Sequence, residues 1–242
     1  MPRFIFWTPV VSLALLGAAC GTSTPTTNGV DIMSPTNAEV AVTTAIRNAV
    51  AVHMVIKVTQ SGSTTTQILD AATTGGRRVI DVAGSTATIL VTHQAGYLRA
   101  PGQILQADFG LSSSVAATDA GKWLSFPAGT SGYQALANGV TVGTLAQEVA
   151  LSSVSRKTHS PINGVNVTAL IGKSLGGSLE LYVPLSGQPL PIAGIVTIQG
   201  ASVNLFFSNW GEKVDLTPPS GSIPFPTPPP AAANPASSPS SG

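Results

Sequence analysis

The stretch GSLELYVPLSGQPLPIAGIVTIQGASVNLFFSNWGEKVDL, residues 177–216, decides the fold. Leu179, Leu181 and Val183 alternate with Glu180 and Tyr182, the period-two signature of a strand with one buried face. Ser186-Gly187 turns the chain into a second run at 191–198, and Gly200 turns it again into Val203, Leu205 and Phe207. A last strand is expected at 213–216, stopped by Pro218-Pro219, where the backbone loses its donors. Gaps this short cannot hold the crossover that parallel strands require, so the stretch reads as an antiparallel meander.

Working outward, residues 165–171 alternate in the same way and join this meander. An earlier one begins at His53, where Met54, Ile56 and Val58 alternate with Val55, Lys57 and Thr59, and Gly62 turns the chain. Runs at 64–72, 77–83, 85–93 and 96–100 follow, separated by glycine turns and ending at Pro101. Between the meanders the period is helical. Ile104, Leu105, Phe109, Val115 and Ala116 line one side of a loose stretch, 122–126 is a short strand, and 133–137 and 145–151 are helical pieces. Ahead of the first strand, Pro35, a Thr36-x-x-Glu39 capping box and the spacing of Val42, Ile46, Ala49 and Val50 predict a helix. Around nine strands and three or four helices, in the order helix, meander, helices, meander, define an α+β protein. Its expected architecture is a large antiparallel sheet with helices gathered on one face.

The ends differ from this domain. Arg3 is followed by an uncharged apolar run of 13 residues, 4–16, interrupted by Pro9, and then by Gly17-Ala18-Ala19-Cys20. A bilayer-spanning helix needs roughly 20 residues, so residues 1–19 read as a removed signal peptide. Small residues before the chain's single cysteine form a lipidation box, and Cys20 is the expected acylation site. Residues 20–34 are then the lipidated Cys20 and a flexible Thr/Ser/Pro/Gly tether. The domain runs 35–217. In 218–242 nine of 25 residues are Pro, with Ala and Ser between, and a disordered tail is expected. The chain is thus expected on the extracytoplasmic face of the cell membrane, held by an N-terminal lipid anchor, as a monomer.

Composition narrows function. Removing Arg3 from the 11 basic residues leaves ten against ten acidic, so the clustered charge of a nucleic-acid binder is missing. Charged residues are 9% of the chain, far below the roughly 25% of ordinary soluble domains. Gly172-Lys173-Ser174-Leu175-Gly176 fits the G-x-S-x-G pattern of a hydrolase nucleophile elbow. A strand follows it rather than a helix, and no histidine lies beyond His159, so a hairpin turn is the better reading. Val167 stands where a phosphate-binding loop needs its first glycine. His53, His93 and His159 are isolated from other ligands, and neither a metal, a cofactor nor a catalytic residue is expected. Asn166-Val167-Thr168 matches a glycan acceptor, inside an expected strand.

The segment Val203-Asn204-Leu205-Phe206-Phe207-Ser208-Asn209-Trp210-Gly211-Glu212-Lys213-Val214-Asp215-Leu216 resembles the ending of the actinobacterial LprG and LppX type of lipoproteins. Gly96-Tyr97-Leu98, Gly121-Lys122-Trp123, Ile162-Asn163-Gly164-Val165, Leu181-Tyr182-Val183 and Gly187-Gln188-Pro189-Leu190-Pro191 agree in order and spacing, and the resemblance covers most of 39–218. It implies a half-barrel similar to the LolA and LolB carriers, a curved sheet whose concave face is covered by helices around an apolar cavity for acyl chains. It also implies an acylated lipid or glycolipid as ligand, with no transporter or envelope partner specified.

The inward positions of the expected strands suit such a cavity. Met54, Ile56, Val58, Ile80, Val82, Ile89, Val91, Val167, Ile171, Leu179, Leu181, Val183, Val196, Ile198, Val203 and Leu205 are aliphatic and of medium size, and aromatics make up only 5% of the chain. Binding an acyl chain gains about 0.8 kcal/mol per buried methylene, so cargo needs greasy space more than special residues. Two functions stay open: a lipid-binding, lipid-transferring envelope lipoprotein, or one without cargo that acts as a scaffold or interaction partner. A continuous void of several hundred Å3 or more is expected of the first and a filled interior of the second. In the first case Val91→Trp is expected to block uptake.

Overall fold

The described residues form twelve strands in a single sheet, ordered β12-β6-β5-β4-β3-β2-β1-β11-β10-β9-β8-β7, most of them marked by period-two alternation. The computed structural model describes residues 27–226 apart from 83, 175 and 199. The export signal, Cys20 and the tail beyond 226 lie outside the described residues. The first meander comprises β1 (Ala51–Gln60), β2 (Ser63–Ala72), β3 (Gly76–Val82), β4 (Ser85–Val91) and β5 (Ala95–Arg99), and β6 (Trp123–Pro127) joins its end. The second comprises β7 (Ser152–Thr158), β8 (Val167–Ser174), β9 (Gly177–Pro184), β10 (Ala193–Ile198) and β11 (Ala201–Ser208). A single long-range ladder joins them: β1 pairs β11 from His53↔Ser208 to Gln60↔Ala201. The result is an open, curved α+β half-barrel.

Five helices among the described residues cover the concave face: α1 (Pro35–Asn48), α2 (Gly102–Ala107), α3 (Ser113–Asp119), α4 (Ser131–Ala137) and α5 (Val142–Glu148). All but α2 begin with a hydroxyl cap, from Ser34, Ser112, Thr130 and Thr141. Each cap satisfies an amide that the first turn leaves unpaired. The helices close over the sheet where it lacks side chains. A Cβ on Gly76 would fall 2.1 Å from the Val140 carbonyl oxygen, and one on Gly96 would fall 3.0 Å from Leu136 of α4. Those glycines let the α4–α5 segment seat directly on the backbone of β3 and β5.

The main core lies between this face and the helices, with Ile46, Leu69, Leu98, Leu105, Leu124, Leu145, Leu179 and Leu181 fully buried. A second, smaller cluster of Val167, Ala169, Tyr182 and Ala193 lies apart from it. Alternation along β8 and β9 puts that cluster on the convex side, because Leu170 and its partner Leu181 belong to the main core.

Several sequence expectations are corrected at the ends. Ser34, not Thr36, caps α1 by accepting from the Asn37 amide, while Glu39 accepts from the Leu151 amide 112 residues away. Residues 27–34 belong to the domain rather than to a tether. Thr27 bridges Ser186, Val30 is wholly buried, and Arg156 donates to the Val30 and Met33 carbonyls. Residues 213–216 form no strand, since they cross the end of the sheet without a ladder partner. The last described strand is instead β12 (Ile223–Pro224), which lies within the stretch expected to be tail and pairs parallel to β6. β7 went unexpected because SSVSRKT carries almost no apolar alternation, and as an edge strand it needs little.

Candidate functional site

On the concave face the side chains of β1, β11 and β10 fall into one aliphatic row after another. The registers pair Ile56 with Leu205, Val58 with Val203, and Val203 with Val196. α5 lies over this seam through Leu145 and Val149. Between them is a cavity of about 130 Å3 lined by Met54, Ile56, Leu145, Glu148, Val149, Val196, Ile198, Val203 and Leu205. It opens toward the end of the sheet that carries the glycine turns at Gly62 and Gly200, where Ile198 is 37% exposed.

Glu148 is the one ionisable group in that lining. Burial pushes its carboxyl above the usual carboxylate range, and the positive charge of Arg78 offsets part of the rise. Arg78 is held lower than usual by the same burial, countered by Glu148. The two flank Gly139 without forming an ion pair: a Cβ there would lie 2.8 Å from both Arg78 Nη2 and Glu148 Oε1. Arg78 donates through Nη2 to the Gly139 carbonyl, and its Nε is buried without a partner. Among the described strand residues, Arg78 and Arg156 are the arginines in register with concave positions, and each donates to the backbone of a segment covering that face.

The structure distributes the candidate residues unevenly. Met54, Val91, Leu179, Leu181, Val183, Val196 and Leu205 are concave and buried, most of them by packing within the core. Ile56, Ile89 and Val203 are half-buried against that core, and the registers put Val58 and Ile80 on the same face. Val82 is placed by its backbone pairing with Ser85. Of the sixteen, only Met54, Ile56, Val196, Ile198, Val203 and Leu205 meet at the cavity.

Val167 and Ile171 are corrections. They face the convex side, packed with Tyr182, Ala193, Ile162, Ile192 and Ile195. β8 is apolar on both faces, so alternation does not reveal its inward parity; the pairing of Leu170 with Leu181 does. Asn166-Val167-Thr168 is likewise tied into structure, since Thr168 is 3% exposed.

Two further clefts escaped the sequence reading. Phe109, Phe126 and Phe225 form an aromatic cluster, with the Phe126 and Phe225 rings stacked at 4.5 Å. Beside it, Pro127, Thr130, Gly132 and Pro224 line an open cleft of about 440 Å3. Phe225 lies in the proline-rich stretch, where nothing in the local sequence marks a packed ring. On the convex side His53, Asp70 and Arg77 line a polar cleft of about 280 Å3 closed over by residues 209–215. His53 Nδ1 lies 2.6 Å from Asp70 Oδ1. No trio of His, Cys, Asp and Glu among the described residues could hold a metal ion. No helix among them is long and apolar enough to cross a membrane.

No protein-family model matches the sequence, and no curated protein matches it. Among solved structures the chain is similar to LprF from Mycobacterium bovis, with a TM-score of 0.48 at 13% identity over 77% of this chain and 97% of that one. The Mycobacterium tuberculosis lipoprotein LppX gives 0.47 at 14% identity, covering 74% and 97%. The MucA/MucB complex of Pseudomonas aeruginosa gives 0.41 at 12% identity, covering 72% and 56%. The half-barrel assignment itself rests on the strand order and the two faces described above.

Proposed function

We propose that this is a lipoprotein of the bacterial cell envelope, anchored through Cys20 on the extracytoplasmic face of the membrane, that binds and transfers acylated lipids or glycolipids. The observation that carries the proposal is the aliphatic cavity at the seam of β1, β10, β11 and α5. Its lining offers cargo no polar group but the Glu148 side chain, whose carboxyl burial favours in the neutral form. At about 130 Å3 it lies below the several hundred Å3 expected of a carrier and below the roughly 300 Å3 floor of small-molecule pockets. Cargo therefore enters only as α5 and the 139–149 segment lift off the sheet. α5 is a seven-residue helix, and lifting it exposes the buried Val142, Leu145, Ala146 and Val149, so the opening has an apolar cost that bound acyl chains must offset.

The small volume favours a second reading, an envelope lipoprotein without cargo that acts as a scaffold. Lipid extraction decides between them. Cys20→Ser protein, secreted without its own acyl groups, is purified and its organic extract examined by mass spectrometry, then titrated with added diacyl lipids. Copurifying or saturably bound lipid supports the carrier; an empty extract and no binding establishes the scaffold.

A further inference from the structure

The convex face carries an apolar stripe that none of the described helices covers. Strand pairing sets Val79, Ile68, Val55 and Phe206 side by side across β3, β2, β1 and β11. Neighbouring strands lie about 4.8 Å apart, so the row is a band crossing four strands. Phe206 is 46% and Ile68 37% exposed, and no helical residue belongs to the convex cluster. Lys57 Nζ stands 5.9 Å from the Phe206 ring centroid, one register row away on the same face. The flanking rows are Lys57, Thr66 and Asp81 on one side and His53, Asp70 and Arg77 on the other, so the stripe is an apolar band between charged borders, ring toward acyl chains and charged groups toward headgroups.

The position of the anchor selects the occupant. Thr27 bridges Ser186, the Asn28 amide donates to Leu185 O at 2.9 Å, and Asn28 Nδ2 donates to Pro184 O at 2.8 Å. The chain is thereby pinned at the end of β9. Cys20 lies seven positions before Thr27, a reach of at most about 25 Å. Ala193 pairs with both Phe206 and Tyr182 of β9, and Tyr182 is four residues from Ser186. The pinned point is therefore about 13 Å along the strand and two strands, about 10 Å, across from Phe206. Acyl chains on Cys20 and the stripe are within reach of the same bilayer.

We propose that the convex stripe centred on Ile68, Val55 and Phe206 is a membrane-contacting surface on which the anchored domain lies. This rests on acylation of Cys20. The half-barrel then lies on its back, with the helix-covered face and the seam cavity turned away from the lipid.

Because acylation consumes the one native thiol, Ile68→Cys and Phe206→Cys each introduce a single labelling site. Val40→Cys is the control, on α1 over the opposite face and 53% exposed. Each acylated variant, labelled with an environment-sensitive fluorophore, is reconstituted on phosphatidylethanolamine/phosphatidylglycerol vesicles carrying nitroxide-labelled acyl chains. Labels at 68 and 206 are expected to shift to the blue and to lose several-fold more fluorescence to the nitroxide than the label at 40. Equal, water-like signals at all three positions overturn the proposal. So does a blue shift at 68 that grows with protein density without nitroxide quenching, which would assign the stripe to a second copy. A mature chain whose Cys20 carries no lipid overturns the anchor together with this face, whereas an acylated chain with a wet position 68 overturns the face alone. Neither result bears on cargo in the seam cavity.

Discussion

Arg78 on β3 donates from Nη2 to the carbonyl of Gly139, 61 residues further along, and so fastens the α4–α5 segment to the concave face. A hydrogen bond from a charged donor is worth about 1.5–3 kcal/mol, and the unpartnered Nε offsets part of it. Arg78→Met should therefore destabilise the protein by about 1–2 kcal/mol in urea titration. Amide exchange across 139–149 should quicken several-fold while the β1–β11 ladder keeps its protection. Unchanged exchange in that segment would show that Arg78 holds nothing shut.

Glu148 makes the same segment sensitive to pH. Its folded-state carboxyl titrates above the unfolded one because of burial, so the folded state binds the proton more tightly. The stability this confers is present below the ordinary carboxylate range and is lost as pH rises through the folded-state value. Melting temperatures measured from about pH 4 to neutrality should fall more steeply for the parent than for Glu148→Gln. Parallel curves would remove Glu148 from the account.

Filling the seam should separate packing from cargo. Val203 is half-buried on the cavity wall, so Val203→Trp is expected to fold with a loss of about 1–3 kcal/mol and to abolish lipid uptake. Val91 is 1% exposed and packed inside the core, so Val91→Trp should instead prevent folding rather than block uptake selectively. Normal lipid load in folded Val203→Trp protein would move the cargo site elsewhere.

Ile171 tests the assignment of faces. It packs on the convex side against the Tyr182 cluster, so Ile171→Trp should leave lipid uptake unchanged. A bound-lipid titration on this variant that matched Val203→Trp would mean that the two faces had been confused.

The meanders were legible because one face of most strands is aliphatic and the other polar, as at Leu179-Glu180-Leu181, and because glycines mark their turns. β7 and β12 were not, since an edge strand buries little and SSVSRKT and Ile223-Pro224 carry no alternating signal. In β8 the sequence marks a strand but not its inward face: Val167, Ala169, Leu170 and Ile171 are apolar on both sides, and only cross-strand pairing with β9 reveals their direction. Arg78 and Glu148 escaped notice for a different reason. They lie 70 residues apart in sequence and are brought to Gly139 by tertiary contact, which no local pattern encodes.

The β1–β11 ladder has a consequence for how the molecule assembles. Each meander is built from neighbouring hairpins that zip rapidly, but His53 and Ser208 must meet across most of the chain, and such distant closures dominate folding time. This long-range ladder is also one wall of the seam cavity. A chain that has yet to stitch its two halves together leaves the aliphatic faces of β1 and β11 open to water, so aggregation during refolding should begin at these two strands.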